Sequence, residues 1–168
     1  MKTSAGFTLI ELMIVLAVIV ILTTVVTPNF GPFVQQSRMD SIQGRLLTSV
    51  SMARSEAIRR DVQVTVCARN TTENMANYSC GSSWANGWVV VAGTEALRVE
   101  EPPAAAITLS GSSITFESSG LLSGGSDVCF SADDGDSDTD VRYLQVNQFG
   151  RIRAWDGGSD DSVCGSGS

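Results

Sequence analysis

Residues 51–67 read "SMARSEAIRRDVQVTVC". The stretch changes its period midway. Ala53 and Ala57 continue a series that begins upstream with Met39, Ile42, Leu46 and Val50. Spacings of three and four put these six side chains on one face of a helix. After Asp61 the period drops to two, with Val62, Val64 and Val66 alternating with Gln63 and Thr65. That is the pattern of a strand with one buried face. A helix that presents an apolar face and runs straight into strands is expected to pack that face on a β domain. The predicted fold class is therefore α+β, with antiparallel strands following the helix.

Upstream, the predicted amphipathic helix occupies residues 28–61. Its charges, Arg38, Arg45, Arg59, Arg60, Asp40, Glu56 and Asp61, read as a solvated face. The stretch "TPNFGPF" (27–33) holds two prolines and a glycine, so a kink or a short melted segment is expected there, with regular helix from Val34. Before it, an apolar run extends from Phe7 to Val26. As a helix of about 20 residues it reaches about 30 Å, the thickness of a bilayer's hydrocarbon core. Lys2 ahead of the run favours an N-terminus kept in the cytoplasm. A cleaved secretory signal fits poorly, because no A-x-A site follows. The run carries one carboxylate, Glu11, and an ionisable residue in such a segment is a functional candidate.

Downstream of residue 61, short strands are predicted at 62–67, 87–92, 96–99, 106–109, 113–117, 127–131, 141–147 and 151–155. Loops are expected at 97–105 and 118–127. The four cysteines are Cys67, Cys80, Cys129 and Cys164. An even number behind an export or membrane segment reads as two disulfides. Of the three connectivities, pairing of neighbours, Cys67–Cys80 and Cys129–Cys164, is the simplest. A zinc site lacks a close cysteine pair and any histidine. Trp84, Trp88 and Trp155 read as packing residues.

Two motifs carry a resemblance. "GFTLIELMIVLAVIVIL" (6–22) resembles the class III leader and first helix of type IV prepilins and type II secretion pseudopilins. "SMARSEAIRRDVQVTVC" and "SCGSSWANGWVVV" (79–91) resemble the helix-to-strand junction and a later strand of the minor pilins and pseudopilins of the GspH, FimT and FimU subgroup. The resemblance implies a pilin-like fold, a long N-terminal helix packed on a C-terminal antiparallel β domain. It implies four regions: a leader over 1–6, a transmembrane and filament-core helix over 7–27, the amphipathic helix over 28–61, and a disulfide-bonded globular domain over 62–168. Prepilin peptidase would cut after Gly6 and methylate the new N-terminus, Phe7. Glu11 would pair with the N-terminal amine of a neighbouring subunit, which offsets the cost of burying its charge.

Two further constellations are candidate binding sites. In "NQFGRIRAW" (147–155), Arg151 and Arg153 are two apart, so a strand projects both from one face. Forked guanidiniums so placed can grip successive phosphates. The Gly-Arg-x-Arg is similar to the motif with which FimT-type pilins of transformable bacteria bind DNA, with Arg142 as a helper. In "ADDGDSDTD" (132–140), Asp134, Asp136, Asp138 and Asp140 alternate, a donor set suited to Ca²⁺. The glycine and distal glutamate of an EF-hand are missing, so a solvated acidic loop is the competing reading, and no other cofactor is expected.

The chain has 168 residues and a net charge of −7. From Val62 onward five arginines face fourteen carboxylates. This balance opposes DNA except at a separated patch. There is no histidine, P-loop, C-x-x-C or G-x-S-x-G, so no enzyme is expected. The reading that results is a minor type IV pilin that primes or joins a pilus, in a tip complex with other minor pilins and the major pilin. It would sit in the bacterial inner membrane with its globular domain periplasmic, then pass into a pilus or pseudopilus. DNA capture for natural transformation and a GspH-type role in type II secretion are the alternatives.

Overall fold

Two helices open the chain, α1 over Leu9–Val26 and α2 over Phe30–Arg60. The computed structural model describes residues 6–26, 30–70, 79–104, 107–135 and 141–157. The chain divides into two compact units, Met1–Gln36 and Ser37–Ser168. In the first unit, α1 exposes its apolar side chains, from 49% at Val18 to 78% at Leu9. The predicted run from Phe7 becomes helical only at Leu9, which leaves 18 residues, or about 27 Å of helix. Among the described residues no helix is long and apolar enough to cross a membrane.

Helix resumes earlier than the two prolines suggest. α2 starts at Phe30 and takes Pro32 into its first turn. There the first N–H groups have no intrahelical acceptor, so a proline costs no hydrogen bond. At its far end α2 stops where the sequence changes period. Asp61 adopts a left-handed φ of 54°, and the Val62 N–H donates to the Ala57 carbonyl at 3.4 Å. This is a Schellman-type close, which turns the chain out of the helix and into the first strand.

All eight predicted strands form, with shifted ends: β1 Val64–Ala68, β2 Trp88–Ala92, β3 Glu95–Glu100, β4 Thr108–Gly111, β5 Ile114–Phe116, β6 Val128–Asp133, β7 Val141–Val146 and β8 Ile152–Gly157. They make two antiparallel sheets, ordered β3-β2-β1-β5 and β4-β6-β7-β8. The chain changes sheet between β3 and β4, again between β4 and β5, and a third time between β5 and β6. At the second change Gly111 lies flat on Phe130, where an added Cβ would sit 2.1 Å from the ring.

The six helix positions are the centre of the core. Met39, Ile42, Leu46, Val50, Ala53 and Ala57 are all buried, in one cluster with Val64, Val66, Trp88 and Phe116 of one sheet and Phe130, Leu144 and Val146 of the other. Trp84 and Trp88 are core residues, as expected. Trp84 packs edge-on against Phe130 with centroids 5.0 Å apart. The Trp88 indole N–H donates to Ser49 Oγ at 3.0 Å. Trp155 instead stacks on Tyr143 at 5.5 Å. Cys67 and Cys80 are bonded, closing a short loop worth about 3 kcal/mol in chain entropy. Cys129 is also disulfide-bonded, and Cys164 lies outside the described residues.

Of the charges expected on a solvated face, Arg38, Asp40, Arg59, Arg60 and Asp61 are exposed, while Arg45 and Glu56 are half-buried, and several of them also reach the strands. Arg45 donates from Nε to Glu100 Oε2 at 2.7 Å and from Nη2 to the Glu101 carbonyl at 2.8 Å. Its guanidinium lies 5.0 Å over the Trp88 ring. Arg60 bridges Glu56 and Glu95. Gln43 donates to the carbonyls of Tyr143 and Trp155 at 3.0 and 3.3 Å. Arg54 donates from its three nitrogens to the carbonyls of Gly120, Gly150 and Phe149 at 3.1, 2.8 and 3.1 Å. One guanidinium thus ties the loop after β5 and the β7–β8 turn to the helix. The reason lies in the sequence positions of two glycines. Gly120 and Gly150 both have positive φ, and a Cβ on Gly150 would sit 2.5 Å from the Gly120 carbonyl and 2.8 Å from Arg54 Nε.

Two consequences are measurable on the full chain in detergent. Gly150→Ala meets both left-handed strain and a backbone clash, and Arg54→Ala removes three charge-assisted hydrogen bonds. Each should lower the unfolding free energy by about 2–3 kcal/mol in denaturant titrations. The second concerns acid. Burial pushes the Glu100 carboxyl up, but hydrogen bonds from Arg45 and then Arg98 outweigh it and hold it below the ordinary carboxylate value. Its contribution is then complete above the pKa of the unfolded chain and is lost as pH falls through the folded value. Glu100→Gln should cost about 1–2 kcal/mol at neutral pH and flatten that acid limb, as read from unfolding midpoints between pH 7 and about pH 3.

Candidate functional site

The expected processing residues stand at the start of the first unit. Gly6, Phe7 and Thr8 precede α1 and are not helical, and Phe7 is 84% exposed. An added Cβ on Gly6 would meet nothing within 4 Å. The chain's own packing therefore gives no reason for a glycine there. Glu11 lies in the first turn of α1. Its N–H donates to Thr8 Oγ1 at 3.3 Å, and the Thr8 N–H donates to Glu11 Oε2 at 3.5 Å. This reciprocal pair is a capping box, and the carboxylate lies where the helix macrodipole favours negative charge. Thr8 is a residue that the sequence reading passed over, although Thr-x-x-Glu ahead of an apolar run is the signature of such a box.

The second candidate site is the β7–β8 turn and the strand after it. Asn147 shapes the turn. Its Oδ1 accepts from the N–H groups of Phe149 at 3.1 Å and Arg151 at 2.8 Å. The Gly150 N–H donates to the Asn147 carbonyl at 2.7 Å, with Gly150 at φ 71°. Arg54 fixes the same turn from the helix side. Neither residue was singled out from the sequence as a site residue. Arg54 sits inside the "ARSEAI" stretch, but its partners are 66 to 96 residues away, and nothing local announces them.

Ile152 packs against the core, so Arg151 and Arg153 project from the other face of the sheet. Both are exposed. Among the described residues neither guanidinium has an ion pair or hydrogen bond. Arg142 does not join them, which corrects the expectation of a helper. It alternates with Leu144 and Val146 on the core face, with its side chain only 3% exposed. Its Nε contacts Asp40 Oδ1 at 3.0 Å and Asp156 Oδ1 at 3.3 Å. Burial of an arginine needs partners of this kind, and the pairing joins α2 to β7 and β8.

Of the four aspartates considered for Ca²⁺, Asp134 is described and half-buried, while Asp136, Asp138 and Asp140 lie outside the described residues. Beside Asp134, Asp133 Oδ1 accepts from the Gly135 N–H at 2.8 Å, a local turn that needs no ion. Among the described residues no group of three or more His, Cys, Asp or Glu could hold a metal ion.

Comparison with known proteins places this architecture. The N-terminal residues 1–27 match the prokaryotic N-terminal methylation motif, which implies a membrane-anchored pilin precursor. Two crystal forms of the type IV minor pilin FimU of Pseudomonas aeruginosa are similar in structure. One aligns with a TM-score of 0.57 at 21% identity over 74% of this chain and 92% of that one. The other gives 0.51 at 19% identity over 71% and 91%. No curated protein sequence matches. At these identities the structural likeness shows the fold, a pilin fold of helix on antiparallel sheets. The family itself follows from residues 44–150, which match the model of the type II transport protein GspH over most of the described globular unit: the chain belongs to the GspH family of type IV minor pilins and pseudopilins.

Proposed function

We propose that this chain is a minor pilin that is cut after Gly6, N-methylated at Phe7, and joins the priming complex at the tip of a pilus. One observation carries the reading. α1 is apolar on every side, exposes all of its described side chains, and holds one carboxylate in its first turn. Such a surface needs a bilayer or other helices around it. A filament core supplies both states in sequence: first the inner membrane, then packing against neighbouring subunits. The four regions expected from the sequence fit that path, with residues 1–6 removed, 7–27 in the membrane and filament core, 28–61 as the stalk, and 62–168 outside.

The capping geometry gives Glu11 a role before assembly and one after it. In the single chain its carboxylate accepts the Thr8 N–H. Cleavage at Gly6 creates an amine four residues upstream of Glu11. In a filament that amine, on an adjacent subunit, can replace solvent as the partner of the carboxylate. The absence of any steric need for glycine at position 6 agrees with recognition by an outside enzyme. Partners on this reading are prepilin peptidase, other minor pilins and the major pilin. A GspH-type place in a type II secretion pseudopilus uses the same chemistry, and the phenotype of a deletion divides the two: loss of twitching for a pilus, loss of enzyme secretion for a pseudopilus.

A second reading, capture of DNA, is favoured by the exposure of Arg151 and Arg153, which have no ion pair among the described residues. It is opposed by the fourteen carboxylates that share the chain after residue 61 with five arginines.

For the first reading, Glu11→Gln should leave insertion and leader removal intact. The amount of the chain in sheared filaments should fall about tenfold or more, because removing one partner of a buried ion pair costs roughly 3–5 kcal/mol. Gly6→Leu should block leader removal, seen as a heavier band on a gel. For the second, full-length protein should bind duplex DNA at low salt. Arg151→Ala/Arg153→Ala should then reduce the slope of log affinity against log salt by about 2. Equal binding by the double mutant would remove the arginines from that role.

A further inference from the structure

The two cysteines of the Cys67–Cys80 bond stand in opposite surroundings. Cys67 lies in β1 and is 0% exposed. It packs with Val89, Val91 and Ala96 in a small cluster of its own, on the sheet face away from α2. Cys80 is exposed. It lines an open groove of about 590 Å³ with Val62, Thr65, Val91 and Gly93, a volume in the range of small-molecule sites. The backbone around the two is paired independently of the sulfurs. Arg69 and Cys80 face each other across an antiparallel bridge. The Asn70 N–H donates to the Ser79 carbonyl at 3.2 Å, and the Gly81 N–H donates to the Ala68 carbonyl at 2.7 Å. We propose that Cys80 is the exchange site of this pair: an external disulfide or dithiol meets the bond at Cys80 Sγ, and Cys67 is the resolving partner. None of this uses α1 or the leader, so it holds whether or not the chain joins a filament.

In the oxidising direction the Cys80 thiolate attacks one sulfur of the external disulfide, and the other sulfur leaves as a thiolate. Cys67 then gives up its proton and attacks Cys80 Sγ, and the second external sulfur leaves. The pair loses two protons and two electrons, and the external disulfide gains both. In the reducing direction an external thiolate attacks Cys80 Sγ and expels Cys67 as a thiolate. That leaving group forms beside Val89, Val91 and Ala96, where apolar burial raises a thiol's pKa. A leaving thiol of higher pKa departs more slowly. The backbone bonds between 68–70 and 79–81 keep the two cysteines adjacent after this first step. Reclosure is then intramolecular and competes well with a second external attack. Attack at Cys67 Sγ needs its apolar cover to open. β1 is an inner strand of its sheet, so that opening approaches unfolding of the domain.

The test uses the full-length chain in detergent and hydroxyethyl disulfide, a neutral probe that an acidic domain does not repel. In Cys67→Ala, the Cys80 thiol should form the mixed disulfide within about tenfold of its rate in guanidinium, where access is uniform. In Cys80→Ala, the Cys67 thiol should react at least about 10³ times more slowly than in guanidinium, because it waits for the domain to open. A Cys80 as protected as Cys67 would overturn the proposal, as would a Cys67 as reactive as Cys80 in a variant whose denaturant titration shows it folded. Each variant lacks the bond's own stabilisation, so the intact bond is tested as well. The wild-type chain is exposed to mercaptoethanol and quenched with acid, and the mixed disulfide is located by mass spectrometry. An adduct on Cys80, with the free thiol on Cys67, supports the assignment. An adduct on Cys67, or equal adducts on both, overturns it.

Discussion

The globular unit depends on one shared helix face. Each sheet is four-stranded and gives buried apolar side chains to one shared core. The stripe from Met39 to Ala57 is buried against residues of both, in a single cluster. Ala53 and Ala57, at the end of that stripe, are fully buried. Losing this face would expose the inner side of both sheets at once, which is why the helix and the strands stand or fall together.

The same helix also organises the polar contacts at its flanks. Gln43 reaches the carbonyls of Tyr143 and Trp155, Asp40 takes Arg142, Arg45 takes Glu100, and Arg54 takes three loop carbonyls. Donors that find carbonyls or carboxylates at the edge of a core satisfy groups that would otherwise be costly to bury. Arg151 and Arg153 are distinguished from Arg142 less by sequence than by strand parity, since residues one apart point to opposite faces of a sheet.

A filament subunit has two surfaces to satisfy, and this chain separates them. α1 is apolar along most of its length, with the capped carboxylate at its start and two threonines, Thr23 and Thr24, near its end. The globular unit is acidic, closed around its own core, and apolar outside only at scattered positions.

Much of this was legible along the chain because the signals are local. A period of three to four fixed the buried helix face, and a period of two fixed β1. The neighbour pairing placed Cys67 with Cys80. The prolines misled by a few residues, since a proline in a first helical turn costs nothing. The charged residues of α2 are mostly exposed, as a solvated face should be, but Asp40, Arg45 and Arg54 also find partners 55 to 102 residues away. The sequence by itself determined the elements, their buried faces and the family to which they belong. Only the tertiary structure decided that Arg142 is buried, that Arg151 and Arg153 are exposed, and that Arg54 joins two loops, because the partner of a charge is set by which distant segments the core brings beside it.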